Sequence, residues 1–181
     1  MSTITNPAHP PRNGGIVVEV SDTQNFLAVD SPWVEQLVER TLRLEGVDQA
    51  SISVALVDDA SIRVINARHL SHDWATDVIS FRLSDDGDEE LSGELIISTQ
   101  MAWKTAAEAQ SPPSRELALY LVHGLLHLCG YDDQAADDVA VIRRREEAVL
   151  DALGIDYPLS RVDRCPATSD DSGRESSRWP R

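Results

Sequence analysis

The sequence predicts a single α+β domain with a mixed, mostly four-stranded sheet and helices packed against it. Three observations lead to this prediction. Apolar residues follow the period of a strand along four short segments and the period of a helix along five longer ones. Two of the strand segments flank an acidic turn, which is typical of an antiparallel hairpin. One helix is apolar around most of its circumference, and such a helix is buried.

The four predicted strands are short segments rich in β-branched and aromatic residues. They cover residues 16–20, 51–57, 77–83 and 91–98. The last two flank the segment SDDGDEE, whose glycine and aspartates favour a turn. We therefore expect these two strands to pair as a hairpin.

The five predicted helices cover residues 31–44, 59–66, 101–110, 111–129 and 135–153. Ser31-Pro32 begins the first helix as an N-cap followed by proline at the first helical position. The fourth and most apolar helix begins at Ser111-Pro112-Pro113, and Gly130 ends it because glycine accepts the left-handed conformation there. Gly154 ends the fifth in the same way.

The two ends of the chain differ in composition from its middle. Residues 1–14 are rich in Pro, Asn and Gly, and residues 161–181 are polar, which predicts a disordered leader and tail around a domain of residues 15–160. No apolar run approaches the roughly 18 residues of a membrane span, so we expect no membrane partner. The N-terminal residues contain no apolar signal region, so the expected location is the cytoplasm.

The charge of the chain disfavours a polyanionic partner. Sixteen basic and thirty-one acidic residues give a net charge of −15, and residues 161–181 contain five arginines and four acids. The remaining residues therefore have a charge of 11 − 27 = −16. Such a field repels free nucleic acid unless a local arginine patch, a bound metal cation or a protein partner offsets it. Cys129 and Cys165 form no C-x-x-C pair, which indicates neither a disulfide framework nor a zinc ribbon.

The segment HGLLHLCGYDD, residues 123–133, has the spacing of a metal site. His123 and His127 share one face of the buried helix, and the turn at Gly130 lets Asp133 return toward them. The spacing i, i+4, i+10 with glycine at i+7 is that of the metzincin peptidases, so the helix is zincin-like. Three ligands leave a fourth position open, as in catalytic zinc sites. Asp132 is an alternative third ligand, and a hydrogen-bonded histidine pair without metal is the structural alternative.

Gly124 argues against peptidase chemistry. In HExxH enzymes the residue after the first histidine is a glutamate that acts as the general base, and glycine has no side chain for that role. Glycine inside a helix is destabilising by about 1 kcal/mol relative to alanine. We therefore expect Gly124 to permit a close approach, either by the sheet or by substrate.

Other polar and aromatic residues have two interpretations each. Thr76, Asp77 and Ser80 either line a cleft and orient a histidine or cap a turn and fill a strand. The run 143–145, three arginines before Glu146-Glu147, is expected to form ion pairs on a solvated helix face. The tryptophans Trp33, Trp74 and Trp103 are expected to pack in or on the protein more than to stack on bases.

Several segments in the right order give the sequence a resemblance to a known family. They are Asn66, the segment TDVISF at residues 76–81, the segment GELII at residues 93–97, the segment HGLLHLCGYD and the segment ALGI at residues 152–155. Together they resemble the YbeY family of bacterial rRNA maturation factors over residues 16–158.

The resemblance implies a fold, an activity and a set of partners. It implies an α+β domain and a single-strand-specific, metal-dependent endoribonuclease that acts in maturation of the 3′ end of 16S rRNA and in ribosome quality control. Its ligands carry over to His123, His127 and Asp133, with zinc as the expected metal. The expected partners are ribosomal RNA, the small ribosomal subunit and single-stranded RNA; the oligomeric state is not predicted.

Two positions depart from the family pattern. Asp133 stands where relatives usually have histidine, and Leu70 stands where many relatives have an arginine. Arg68 or Arg82 is the candidate to bind phosphate instead, so His123, Arg68 and Arg82 are the predicted catalytic residues. Two alternatives stay open: a metalloprotease-like or other metal hydrolase, and a catalytically weak ribosome-associated factor in which Asp133 and Leu70 reflect lost activity.

Overall fold

A computed structural model describes residues 15–155. The predicted leader, residues 1–14, and the predicted tail, residues 161–181, lie outside the described residues. In chain order the elements are β1 (Ile16–Asp22), α1 (Ser31–Leu44), β2 (Ala50–Val57), α2 (Asp59–Leu70), β3 (Val78–Arg82), β4 (Leu91–Ser98), α3 (Thr99–Glu108), α4 (Pro113–Leu128) and α5 (Ala136–Leu153). The predicted α+β class is confirmed.

The four strands form one mixed sheet in the order β1-β2-β4-β3. Strands β1, β2 and β4 are parallel, and β3 pairs with β4 in the antiparallel sense, from Val78 opposite Ile97 to Arg82 opposite Gly93. The predicted hairpin is therefore correct, and it places β3 at one edge of the sheet.

The sheet separates two apolar clusters because successive strand residues point to opposite faces. On one face, Val78 and Leu95 pack in a large core with residues of α1, α3, α4 and α5. On the other face, Ile79 and Ile96 pack with Ile62 of α2 in a smaller cluster. Helices α4 and α2 therefore lie on opposite faces.

Two helices differ from the predicted bounds because of their caps. Helix α2 is capped by Asp58, whose carboxylate accepts from the Ser61 amide at 2.8 Å, and it continues past the predicted end to a left-handed Ser71. Helix α3 begins at Thr99, since Ser98 accepts from the Met101 amide at 3.0 Å. Within residues 15–155, no helix combines the length and apolarity that crossing a membrane requires.

Candidate metal centre

Helix α4 lies at the centre of the packing. It contacts α1, α3 and α5 as well as β3 and β4. Its leucines at 117, 121, 125 and 128 are at most 2% exposed. A helix fixed on this many sides holds its polar side chains in defined positions.

Two glycines let α4 approach the sheet closely. A Cβ at Gly124 would lie 2.9 Å from side-chain carbons of both Leu95 and Val78, and one at Gly93 would lie 2.7 Å from Leu128. In the same contact Ser80 Oγ donates to the Gly124 carbonyl at 3.1 Å. The close approach expected at Gly124 is therefore made by the sheet, and a glutamate has no room there.

The three predicted ligands converge. His123 Nε2 lies 2.9 Å from His127 Nε2, and His127 Nε2 lies 4.0 Å from Asp133 Oδ2. Gly130 turns the chain with a φ of 98° and brings Asp133 back. One ligand atom from each residue lies within 4.8 Å of the others, so the group has the arrangement of a metal site.

Each histidine is oriented through its other ring nitrogen. His123 Nδ1 lies 2.5 Å from Glu146 Oε1, and His127 Nδ1 lies 2.9 Å from the Tyr131 carbonyl oxygen. A carbonyl oxygen and an ionised carboxylate can accept a hydrogen bond but cannot donate one. Both Nδ1 atoms therefore act as donors. In neutral rings both Nε2 atoms then present lone pairs to the same point. Such lone pairs repel unless a cation lies between them, either a proton shared by the two nitrogens or a metal ion.

The surroundings of the two histidines shift their pKa values in opposite directions. Burial opposes protonation of His123, but the hydrogen bond and charge of Glu146, with the charges of Asp77 and Asp133, raise its pKa overall. Burial and the neighbouring His123 lower the pKa of His127. Burial raises the pKa of Asp77 to about 6 against the opposing charge of His123. The centre thus combines two imidazoles with acids that favour a cation.

The geometry favours Asp133 over Asp132 as the third ligand. Asp133 Oδ2 is buried and has no hydrogen-bond partner within residues 15–155, and its side chain is 9% exposed. Asp132 is exposed, and its Oδ1 accepts from the Asp133 amide at 2.8 Å. A buried carboxylate oxygen without a donor is destabilising, and a metal cation would satisfy it. The donor set therefore fits a divalent transition metal.

A second network holds the loop that follows α4. Tyr131 donates its hydroxyl to Glu45 Oε2 at 3.1 Å, and Arg145 Nε donates to Glu45 Oε1 at 2.7 Å. The Arg145 guanidinium also donates to the Leu44 carbonyl at 2.8 Å. Since the Tyr131 carbonyl orients His127, consecutive residues of α5 support the two ligands: Glu146 holds His123, and Arg145 holds the loop behind His127.

The expectation of ion pairs on a solvated face is wrong for Glu146, which sequence reasoning missed as part of the site. Glu146 lies on the buried stripe of α5 with Ile142, Val149 and Leu150. Glu146 follows Ile142 by four residues and precedes Val149 by three, which places it on the apolar face of the helix. This spacing was the signal that could have identified it.

The remaining candidates lie in different places. Arg82 follows Val78 and Ser80 at alternate positions of β3, on the face that packs against α4, and its Nη1 lies 3.1 Å from Asp86 Oδ1. Arg68 is exposed on α2, which packs on the opposite face.

Asp77 Oδ1 accepts from Thr76 Oγ1 and the Val78 amide, both at 2.9 Å. Thr76 and Ser80 therefore take part in local packing, whereas the charge of Asp77 also acts on His123; Glu146 and Tyr131 orient the histidines.

Comparison with known proteins identifies relatives of the whole domain. The family model "Endoribonuclease YbeY" matches residues 19–154. A protein of that name from Rhodopirellula baltica is 42% identical over 131 residues, which cover 71% of this chain and 67% of the relative. Another from Carboxydothermus hydrogenoformans is 36% identical over 143 residues, which cover 77% of this chain and 99% of the relative.

The fold itself is similar to that of a solved structure. The solution structure of TM1509 from Thermotoga maritima has a TM-score of 0.53 and 21% identity, and the match covers 88% of this chain and 100% of that one. At this identity the similarity supports the fold alone. The family model and the curated relatives, which match most of the chain, show that it belongs to the YbeY endoribonuclease family.

Proposed function

We propose that this chain is a metal-dependent endoribonuclease that cuts single-stranded RNA and matures the 3′ end of 16S rRNA. The family supports RNA cleavage, because relatives of 42% and 36% identity carry the name endoribonuclease. The observation that carries the proposal is the convergence of His123, His127 and the unpartnered Asp133 oxygen on one point. Zinc is the proposed metal, since it accepts two imidazoles and a carboxylate.

The residues of the chain prepare this site for phosphodiester cleavage. A metal bound by His123, His127 and Asp133 would supply Lewis acidity to a phosphoryl oxygen or to water. Glu146 and the Tyr131 carbonyl hold both imidazoles in the tautomer that presents Nε2. We propose that Arg82, on the sheet face toward α4, pairs with non-bridging phosphate oxygens when its exposed contact with Asp86 opens.

Peptidase chemistry fits the site poorly. The position that carries the general base in HExxH enzymes is Gly124, where even a Cβ meets Leu95 and Val78. The glutamate is therefore excluded by packing as well as absent from the sequence. We propose no protease activity.

The charge of the chain supports a ribosomal context. A charge of −15 repels free RNA, so productive binding calls for a partner that presents the cut site. The proposed partners are single-stranded ribosomal RNA and the small ribosomal subunit, in the cytoplasm. Cleavage should accordingly be faster on small subunits than on naked rRNA.

The test measures bound metal by elemental analysis and cleavage of single-stranded RNA on the same samples. We expect His127→Ala and Asp133→Ala to lose both, because each removes a ligand, and Asp133→His to keep the metal. Asp132→Ala is the matched control, since its exposed carboxylate neighbours the ligand, and it should keep both. Metal content of Asp133→Ala equal to that of the unmodified protein would contradict the ligand assignment. Normal metal content without cleavage, with or without ribosomes, would instead indicate a catalytically weak ribosome-associated factor.

A further inference from the structure

The loop between α2 and β3, residues 71–77, presents an exposed tryptophan from a fixed backbone. Trp74 is 46% exposed. Its carbonyl accepts from Asn66 Nδ2 at 2.8 Å, and Asn66 is fully buried in α2. The main chain at Trp74 is therefore anchored although its ring faces solvent.

A histidine supports one face of this ring. The rings of His72 and Trp74 are stacked, with centroids 4.4 Å apart and planes 19° from parallel. His72 is half-buried and its Nδ1 edge is fully buried. The imidazole thus covers one face of the indole and fixes its orientation. A large part of the indole remains accessible to a ligand.

The loop leads from α2 to the metal centre. Trp74 precedes Asp77 by three residues, a span of at most about 10 Å of extended chain. Asp77 is followed by Val78, whose side chain packs against Gly124, the residue next to His123 in α4. The indole is therefore within reach of a nucleotide close to the one being cleaved.

The other end of the loop adjoins a cationic groove on α2. Arg63 and Arg68 line this groove together with Asp73 of the loop. Arg63 donates twice to Asp73, at 2.8 and 3.0 Å, so the charges of these two residues offset each other. Arg68 forms no ion pair with any residue between 15 and 155, so its charge is available to an anion.

We propose that Trp74, backed by His72, is a stacking platform for one unpaired base of the RNA, with Arg68 on a phosphate of the adjoining backbone. The proposal rests on the endoribonuclease function above and names a substrate contact for it. An indole face accepts any base, so the platform gives binding without sequence preference. A base within a duplex has its faces covered, so the platform favours single strands.

Trp103 of α3 provides a matched comparison. It is 48% exposed, close to the value for Trp74, but it has no ring contact within the described part of the chain. Exposure alone does not make a platform; the stacked support and the neighbouring arginine distinguish Trp74.

The test measures binding of a short single-stranded 2′-O-methyl oligoribonucleotide to the metal-loaded protein by fluorescence anisotropy. We expect Trp74→Ala to weaken binding roughly 5- to 100-fold, the range for losing one base–aromatic stack. Trp74→Phe should restore most of the affinity because it keeps a flat ring, and Trp103→Ala should bind as the unmodified protein does. Thermal unfolding should show that Trp74→Ala remains folded.

Oligonucleotides with a single abasic site identify the contact as stacking. An abasic site at one position should weaken binding of the oligonucleotide to the unmodified protein. The same abasic site should not weaken binding to Trp74→Ala, since the substitution has already removed the contact. Wild-type affinity of Trp74→Ala, or additive effects at every position, would overturn the platform. Binding that depends on Trp74 in a protein that does not cleave RNA would keep the platform and overturn the endoribonuclease proposal.

Discussion

Helices α4 and α2 lie on opposite faces of one sheet and differ in how they are packed. Eleven of the sixteen residues of α4 are buried, against two of the twelve residues of α2. Helix α4 carries two ligands of the candidate metal centre, and α2 carries Arg68 and leads into the Trp74 loop. The helix that must hold ligand atoms in place is fixed on several sides, and the helix proposed to meet RNA remains accessible.

This difference follows from what each task requires. Metal ligands are effective when their rotamers are fixed by packing and by hydrogen bonds to their second nitrogen. Contacts to single-stranded RNA need exposed rings and cations that a flexible chain can reach. The following substitutions test whether the two helices differ as their packing indicates.

The largest expected effect is on stability. Leu125→Ala in α4 removes a fully buried side chain and should lower the free energy of unfolding by about 2–5 kcal/mol. Val64→Ala in α2 is the matched truncation of a side chain that is 66% exposed, and it should change stability by less than about 0.5 kcal/mol. Urea unfolding measures both. Equal losses would show that the Val64 side chain is buried in solution.

The second effect concerns support of the metal ligands. Glu146→Gln keeps the shape of the side chain but removes the charge that orients His123, and it should weaken metal affinity about 10- to 100-fold. Glu147→Gln makes the same chemical change one residue away and should leave the affinity unchanged. Competition with a chelator measures both constants. An unaffected Glu146→Gln protein would mean that packing alone orients His123.

The smallest effect separates the two arginine candidates. Arg82→Ala, on the face toward α4, should lower kcat by roughly tenfold through loss of a charge-assisted contact to phosphate. Arg68→Ala, on the opposite face, should raise KM several-fold with little change in kcat, as expected for ground-state binding. Steady-state cleavage of single-stranded RNA distinguishes them. A reversed pattern would place the reacting phosphate nearer α2 than α4.

Much of the fold and the ligand set could be predicted because the signals are local. The period of apolar residues, Pro113 at the start of α4 and Gly130 at its end lie within one segment, and so do His123, His127 and Asp133. The C-terminal end of α2 and the start of α3 were placed less well, since the left-handed Ser71 and the Ser98 cap that set them are not marked by the apolar pattern. Glu146 was missed because its partner lies 23 residues away on another helix.

The sequence by itself determined the element order, the spacing of the metal ligands and the absence of a peptidase base, since each depends on neighbours along one chain segment. Only the tertiary structure decided which acid lies beside the histidines, what holds each histidine and which face each arginine occupies. Those answers depend on how the chain folds back on itself: Asp133 turns back to His127, Glu146 meets His123 between two helices, and Arg145 meets Glu45 between α5 and the end of α1. Burial then gives these contacts their effect, because a buried acid or imidazole without a partner is unstable and therefore favours a cation.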